Sequence, residues 1–240
     1  MFNELLSWPN LLRAAKNAMK GKRGRPDVQR FCFHLETELL ELRRELTEGT
    51  YAMRPYRLLF VCDPKPRKIC AAAFRDRVVH HAVCNVLAPV LEGDMCPYSY
   101  ACRPGYGVHK AIAAIRACAG RYAYYLQSDI AKYYDNIEHA RLLRSLAPKI
   151  PDSRMLGLLE RITRHPIPGG MPGKGIPIGN LTSQYFANYY LTPLDRLWLG
   201  CEGVKAYVRY MDDMLVFAND KPGLHVALKQ ARDFLSLIHI

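Results

Sequence analysis

Apolar residues in the first fifty positions recur every three or four residues, which is the helical rhythm. A short amphipathic helix is expected over roughly Asn10–Lys20. The Gly-rich basic stretch Gly21–Pro26 follows, and Pro26 sits well as a first helical residue. Phe31, Leu35, Leu39, Leu42 and Leu46 then lead to Gly49, which predicts one long helix with a single apolar face. The rhythm changes at Arg57–Val61 and Lys68–Ala72, two β-rich runs about the Pro-containing turn Asp63–Arg67, so a hairpin is expected. Helices are predicted over Phe74–Leu87 and Val108–Cys118, with an irregular segment, Tyr98–Gly107, between them. Ala123–Ile130 reads as a buried strand ending on an acid, and helices follow near His139–Leu146 and Ser153–Arg164. His165–Pro177 is a Pro/Gly-rich loop, and Asn180–Leu199 is apolar enough for a mostly buried helix. Lys205–Tyr210 and Met214–Ala218 are strand-like runs flanking Asp212–Asp213, and a last helix is expected over Leu224–Phe234. This order indicates an α+β fold with an antiparallel sheet in the second half.

Composition narrows the picture. The 240 residues are 50% hydrophobic, enough for a substantial core in one or two domains. Lys and Arg number 34 against 22 Asp and Glu, and the excess is uneven. Residues 1–128 hold 20 basic and 11 acidic side chains, whereas 129–240 hold 14 and 11. A basic first half beside a more acid-rich second half suits a protein that grips phosphates with one part and holds cations with the other. The eight cysteines form no C-x-x-C pair and no signal peptide precedes them, so they read as reduced side chains of a cytoplasmic protein. His80 and Cys84 share a helix face but lack the two further ligands of a zinc site. No apolar run approaches the ~20 residues that span a bilayer, so no membrane partner is expected.

The chemistry concentrates in acids. Paired aspartates usually mark solvated hairpin turns. Here the flanking runs are strongly apolar, which places Asp212 and Asp213 on a tight turn at the edge of a buried sheet. Asp129 ends another apolar run. If these strands lie side by side, three carboxylates converge. Two carboxylates ~4 Å apart at an effective dielectric near 20 repel by ~4 kcal/mol, so such a cluster calls for a divalent cation. Hard oxygen ligands beside a phosphate-bearing substrate point to Mg²⁺, with Mn²⁺ as its substitute.

Three segments, DIAKYYDNI at Asp129–Ile137, GIPIGNLTSQYFANYYL at Gly175–Leu191 and YMDD at Tyr210–Asp213, resemble the successive palm motifs of reverse transcriptases. Upstream, PKPRKI at Pro64–Ile69, FRDRVVHHAV at Phe74–Val83 and YSYACRPGYGVHKA at Tyr98–Ala111 resemble the fingers motifs of the bacterial branch. Six ordered matches make the resemblance specific. It implies right-hand polymerase fingers and palm with an antiparallel palm sheet. The expected divisions are an N-terminal helical extension at 1–50, fingers at 51–120 and palm at 121–234, with 137–178 partly fingers-like.

The resemblance also implies roles for particular residues. Asp129, Asp212 and Asp213 would hold metal, with the Ile130 backbone carbonyl nearby. Lys65 and Arg67 would meet the incoming triphosphate, although either alone is equally well explained as an exposed charge on a turn. Arg103 would contact template or nucleotide phosphate. Tyr134, five residues after Asp129, would exclude a 2′-hydroxyl, and a one-residue shift would give that place to Asp135. Ile178 and Gly179 would line the nucleotide, and Gln184, Tyr210 and Met211 would meet template or primer. The implied partners are an RNA template, a DNA or RNA primer and deoxynucleoside triphosphates.

IGNLTSQ at Ile178–Gln184 has Ile and Gln where most reverse transcriptases carry Gln and Pro. That pattern resembles the enzymes of diversity-generating retroelements, which are error-prone and work with a small basic accessory protein. Group II intron and retron enzymes are neighbouring alternatives. An untemplated defence-system polymerase or an inactive nucleic-acid-binding relative would be compatible with the same palm. A helical thumb is expected after the palm and is missing, and LSLIHI at 235–240 departs from the pattern as a non-native tail would.

Overall fold

The computed structural model describes residues 1–62 and 66–237. Its N-terminal part is helical: α1 (Phe2–Leu5), α2 (Trp8–Met19), α3 (Pro26–Phe33) and α4 (Leu35–Glu48). Ser7 caps α2 by accepting from the Asn10 N–H, and Gly49 ends α4 at a φ of 74°. The long helix expected from Pro26 to Gly49 is broken at His34, whose φ and ψ of −108° and 29° leave the helical region. The break lets Val28 and Phe31 face the core from one direction and Leu39, Leu42 and Leu46 from another.

The hairpin pairs β1 (Arg57–Cys62) with β2 (Pro66–Ala71), from Arg57 opposite Ala71 to Cys62 opposite Pro66. Helix α5 (Phe74–Glu92) runs five residues past its expected end despite the interior Pro89. It is the hub of the first half, buried along much of its length beneath α1, α2, α3 and α10 (Leu181–Tyr190). Asn10 fastens α2 to it by donating to the carbonyls of Leu5 and Ala82 at 3.0 and 3.1 Å.

After α6 (Val108–Ala119) comes the second sheet: β3 (Tyr124–Ser128), β4 (Ala206–Tyr210) and β5 (Asp213–Ala218), in the order β3-β5-β4 and antiparallel throughout. The expected α+β architecture with an antiparallel sheet is therefore met. Between β3 and β4 lie α7 (Tyr133–Asn136), α8 (His139–Leu146), α9 (Ser153–Thr163), α10 and α11 (Thr192–Gly200). The single helix expected over Asn180–Leu199 is two, because Pro193 in the first turn of α11 cannot continue the ladder of α10. On one face of the sheet, Val208 and Phe217 pack with Ala111 of α6. On the other, Val216 and Tyr207 join the main core, together with α12 (Lys221–Leu237).

Candidate active site

The sheet ends where the acids begin. Ser128 of β3 pairs with Met214 of β5, so Asp129 leaves β3 beside Asp213, the first residue of β5. Tyr210 pairs with Asp213 across the β4–β5 hairpin, leaving Met211 and Asp212 as a two-residue turn. Met211 takes a φ of 56° at the first turn position, the positive φ that tight hairpin turns require. Ile130, buried in the main core, anchors the chain just after Asp129.

Asp129 and Asp213 are exposed and Asp212 is half-buried. Burial lifts the Asp212 carboxyl above the ordinary carboxylate range, and the charges of Asp129 and Asp213 and a hydrogen bond shared with Asp129 push it the same way. The three acids are therefore close enough to feel one another. None of them has an ion-pair partner among the described residues, although nine other acids do. Mutual repulsion with no protein cation to relieve it, on hard oxygen donors, fits a divalent metal. Among the described residues, however, no three His, Cys, Asp or Glu side chains are gathered into a ready-made metal centre. The carboxylates meet as a repelling cluster rather than as a formed coordination cage.

Tyr134, on α7, is half-buried, and its hydroxyl is pushed up by burial and by its neighbours Cys102 and Asp212. Asp135 is exposed, and its charge is felt instead by Cys70 of β2. The side chain facing the acids is thus the tyrosine. Its backbone is fixed by the Ile176 N–H, which donates to the Tyr134 carbonyl at 2.9 Å. Tyr133 is fully buried and donates its hydroxyl to the Ala187 carbonyl at 2.6 Å.

Ile178 and Gly179 join this site to the hairpin. The Cys70 N–H donates to the Ile178 carbonyl at 2.8 Å. Gly179 has a φ of 123°, and a Cβ there would lie 2.8 Å from the Cys70 carbonyl oxygen, so only glycine fits. Lys68 adds a second tie by donating to the Pro168 carbonyl. Arg67, on β2, is exposed and has no ion pair among the described residues, while Lys65 lies outside the described residues.

Gln184 stands exposed on α10, and Cys102 lies between it and the turn. The Cys102 Sγ is 3.7 Å from Gln184 Oε1 and 4.0 Å from Met211 Sδ. Tyr210 is exposed next to Met211. Arg103 corrects the expectation of a phosphate contact. Its side chain is 4% exposed, forks onto Glu92 at 2.7 Å, donates to the Cys96 and Ser99 carbonyls, and stacks 3.9 Å over Tyr106. Nε and Nη2 reach Glu92 at the end of α5 and Nη1 reaches the loop carbonyls, so Arg103 staples the loop to that helix.

Residues beyond the sequence reading hold the turn. Arg209 and Asp195 are wholly buried and paired at 2.6 Å, with Asn188 and Tyr207 in the same network. Arg209 had a visible signal as a charge inside an apolar strand. Cys102 stood in a quoted motif whose neighbour, Arg103, drew the reading.

The family profile described as reverse transcriptase (RNA-dependent DNA polymerase) matches residues 63–239. Protein YkfC of Escherichia coli is 30% identical over 175 residues, covering 68% of this chain and 45% of YkfC. The group II intron-encoded protein LtrA of Lactococcus lactis is 28% identical, covering 68% of this chain and 28% of LtrA. The chain thus spans less than half the length of these curated relatives. A Cas6-RT-Cas1–Cas2 complex chain shares the fold with a TM-score of 0.59 at 18% identity, over 98% of this chain and 42% of that one. Apo telomerase from Candida tropicalis aligns with a TM-score of 0.54 at 12% identity, over 85% and 52% of the two chains.

Proposed function

The chain belongs to the reverse transcriptase family, and on that footing we propose that it forms the nucleotidyl-transfer centre of an RNA-directed DNA polymerase. The observation that carries the reading is the meeting of Asp129, Asp212 and Asp213 at the end of an antiparallel sheet, with no cation paired to them among the described residues. The substrates are an RNA template, a DNA or RNA primer and deoxynucleoside triphosphates. Asp129, Asp212, Asp213 and the Ile130 carbonyl hold the cation, which is Mg²⁺, with Mn²⁺ able to replace it. When bound, it supplies activation of the primer 3′-hydroxyl and neutralises charge on the leaving pyrophosphate.

The chain's own residues position the reactants. Tyr134 presents a ring beside Asp212 and excludes a ribose 2′-hydroxyl by shape. Ile178 and Gly179 form the floor under the nucleotide, fixed to β2. Arg67 approaches the triphosphate from β2, the resemblance assigns Lys65 to the same phosphates, and Gln184, Tyr210 and Met211 contact template and primer. The location is cytoplasmic; no helix among the described residues is long and apolar enough to cross a membrane.

The finer assignment is to an error-prone enzyme of the diversity-generating type, acting with a small basic accessory protein, and it rests on Ile178 and Gln184. A Gln side chain at 178 could donate and accept hydrogen bonds, whereas Ile can do neither. A group II intron enzyme is the second reading, favoured by the likeness to LtrA. Primer extension on a defined RNA template, with the products sequenced, tests both levels. Extension by the protein should need Mg²⁺ or Mn²⁺, and Asp212→Asn should reduce it at least a thousandfold while the fold persists. Undiminished extension by folded Asp212→Asn would remove the metal assignment. Errors opposite template adenine should be frequent and fall roughly fivefold to tenfold in Ile178→Gln, as loss of one contact worth ~1 kcal/mol implies. Equal and low error rates would favour the group II reading.

A further inference from the structure

Beneath the acid-bearing turn lies a charged network that the proposed chemistry does not use. Arg209, the next-to-last residue of β4, is 0% exposed, as is its partner Asp195 on α11. The guanidinium forks onto that carboxylate with two contacts of 2.6 Å, from Nε to Oδ1 and from Nη2 to Oδ2. Tyr207 Oη donates to the same carboxylate at 2.8 Å. The remaining donor directions reach two other elements. Nη1 donates to Asn188 Oδ1 at 2.6 Å and to the Met211 carbonyl at 3.1 Å, and Nη2 reaches the Asn188 carbonyl at 3.2 Å.

Asn188 passes the connection on. Its Oδ1 also accepts from Ser99 Oγ at 3.0 Å, and its Nδ2 donates to the Ala101 carbonyl at 2.8 Å. The backbone of Arg209 is tied to the same segment: its N–H donates to the Tyr98 carbonyl at 2.9 Å, and its carbonyl accepts from the Tyr100 N–H at 2.8 Å. One buried side chain therefore fixes three pieces of the site: the Met211–Asp212 turn, helix α10 with Gln184, and the loop bearing Cys102.

Stability alone is a poor account of such a pair. A buried ion pair is often no more stabilising than well-packed apolar residues of similar volume, so its retention asks for another reason. That reason is at hand in the turn. Met211 holds a left-handed φ of 56°, which a non-glycine residue adopts only where its surroundings impose it. The hydrogen bond from Arg209 lands on the carbonyl of that very residue, the last peptide oxygen before Asp212. We propose that Arg209 and Asp195 are positioning residues: they clamp the Met211 peptide, and through it set where the Asp212 and Asp213 carboxylates stand for cation binding. The proposal rests on the metal reading above for its consequence and on the turn geometry for its cause.

Two folded variants test it. Arg209→Lys keeps the charge and loses the fork, while Arg209→Met combined with Asp195→Asn removes the ion pair without leaving a buried charge unpaired. Hydrogen exchange at the amides of residues 207–214 reads the turn, and Mn²⁺ titration followed by electron paramagnetic resonance reads the carboxylates. In both variants, turn exchange should rise at least tenfold while α5 exchange stays as in wild type. Mn²⁺ affinity should fall at least tenfold at an unchanged unfolding midpoint for the double variant. Wild-type exchange and wild-type Mn²⁺ affinity in a folded variant would overturn the proposal. Failure of both variants to fold would also overturn it, because the pair would then be a stability element. If wild-type protein binds no Mn²⁺, the metal reading fails, and the exchange of the turn still decides the positioning role.

Discussion

In the helical first half, Asp76 of α5 is wholly buried and each of its oxygens has a donor: Tyr51 Oη at 2.7 Å and the Arg54 N–H at 3.0 Å. At the end of the palm sheet, half-buried Asp212 also has a tyrosine nearby, Tyr134, but it faces two further carboxylates. Burial raises the pKa of both acids. In Asp76 the hydrogen bonds oppose that rise, whereas in Asp212 the neighbouring acids add to it. The neighbours of Asp76 follow the same rule, with Arg75 forked onto Glu45 at 2.8 Å and close to Glu38. Around Asp76 and Arg75 the charged groups are satisfied from within the fold, although His80 Nε2 on the same helix has no partner among the described residues. The end of the palm sheet leaves like charges together, as a site does when something from outside completes it.

The contrast is broken most forcefully at Asp76. Asp76→Ala strands the Tyr51 hydroxyl and the Arg54 N–H and removes two hydrogen bonds to a charged acceptor. A loss of about 3 kcal/mol in unfolding free energy is expected. Urea unfolding of the variant measures it, and a loss under about 1 kcal/mol would show that burial of the carboxylate cancels its bonds.

Next in size is the pH response of His80. It is buried, meets Thr182 Oγ1 at 2.8 Å through Nδ1, and has no partner for Nε2 among the described residues. Burial, and then the charges of His81 and His165, hold its pKa down to about 3. The unfolded chain takes up a proton near pH 6.5, while the folded protein resists until about pH 3. Stability is therefore full above pH 6.5 and declines as pH falls between these values, by roughly 2 kcal/mol at pH 5. His80→Gln should make the slope between pH 6.5 and pH 5 shallower, leaving the share of His81, whose pKa burial holds down to about 4. An unchanged slope would place the proton uptake elsewhere.

How much of this was legible in the sequence depends on what kind of signal each residue leaves. The acids were legible because apolar runs end on them, and hydrophobic alternation fixes both strand and register. Tyr134 was legible only through resemblance, and its direction was settled by α7, a four-residue helix too short to leave a periodic pattern. The break at Leu191 did leave a signal, since Pro193 has no N–H with which to continue the hydrogen-bond ladder of α10. The break at His34 left none, because the residues on both sides of it, Phe31 and Leu39, enter the same core and keep the apolar spacing of one helix. Arg103 shows the limit most clearly. A basic residue in a Gly/Pro-rich loop looks the same in sequence whether it points to solvent or, as here, inward onto Glu92.

The smallest effect is the most discriminating, because its sign reverses between the two regions. Asp212→Asn removes one charge from a repelling cluster in the metal-free protein. At neutral pH the variant should be more stable than wild type, the opposite of Asp76→Ala. The folded pKa of Asp212 is raised, so ionising it costs stability at pH values above that pKa, and the cost disappears as pH falls through it. The advantage of Asn should therefore be present at pH 7 and lost in acid. Asp212 is only half-buried and Asp129 and Asp213 are exposed, so water screens the repulsion and a gain no larger than about 1 kcal/mol is expected. Thermal unfolding in a chelator at pH 7 and pH 4 measures both ends. Saturating Mn²⁺ should then invert the order, because a ligand stabilises the form that binds it, and Asn supplies a weaker oxygen donor than carboxylate. If Asp212→Asn destabilises the chelated protein as Asp76→Ala does, the three acids are held by the fold itself and the contrast between the two regions collapses.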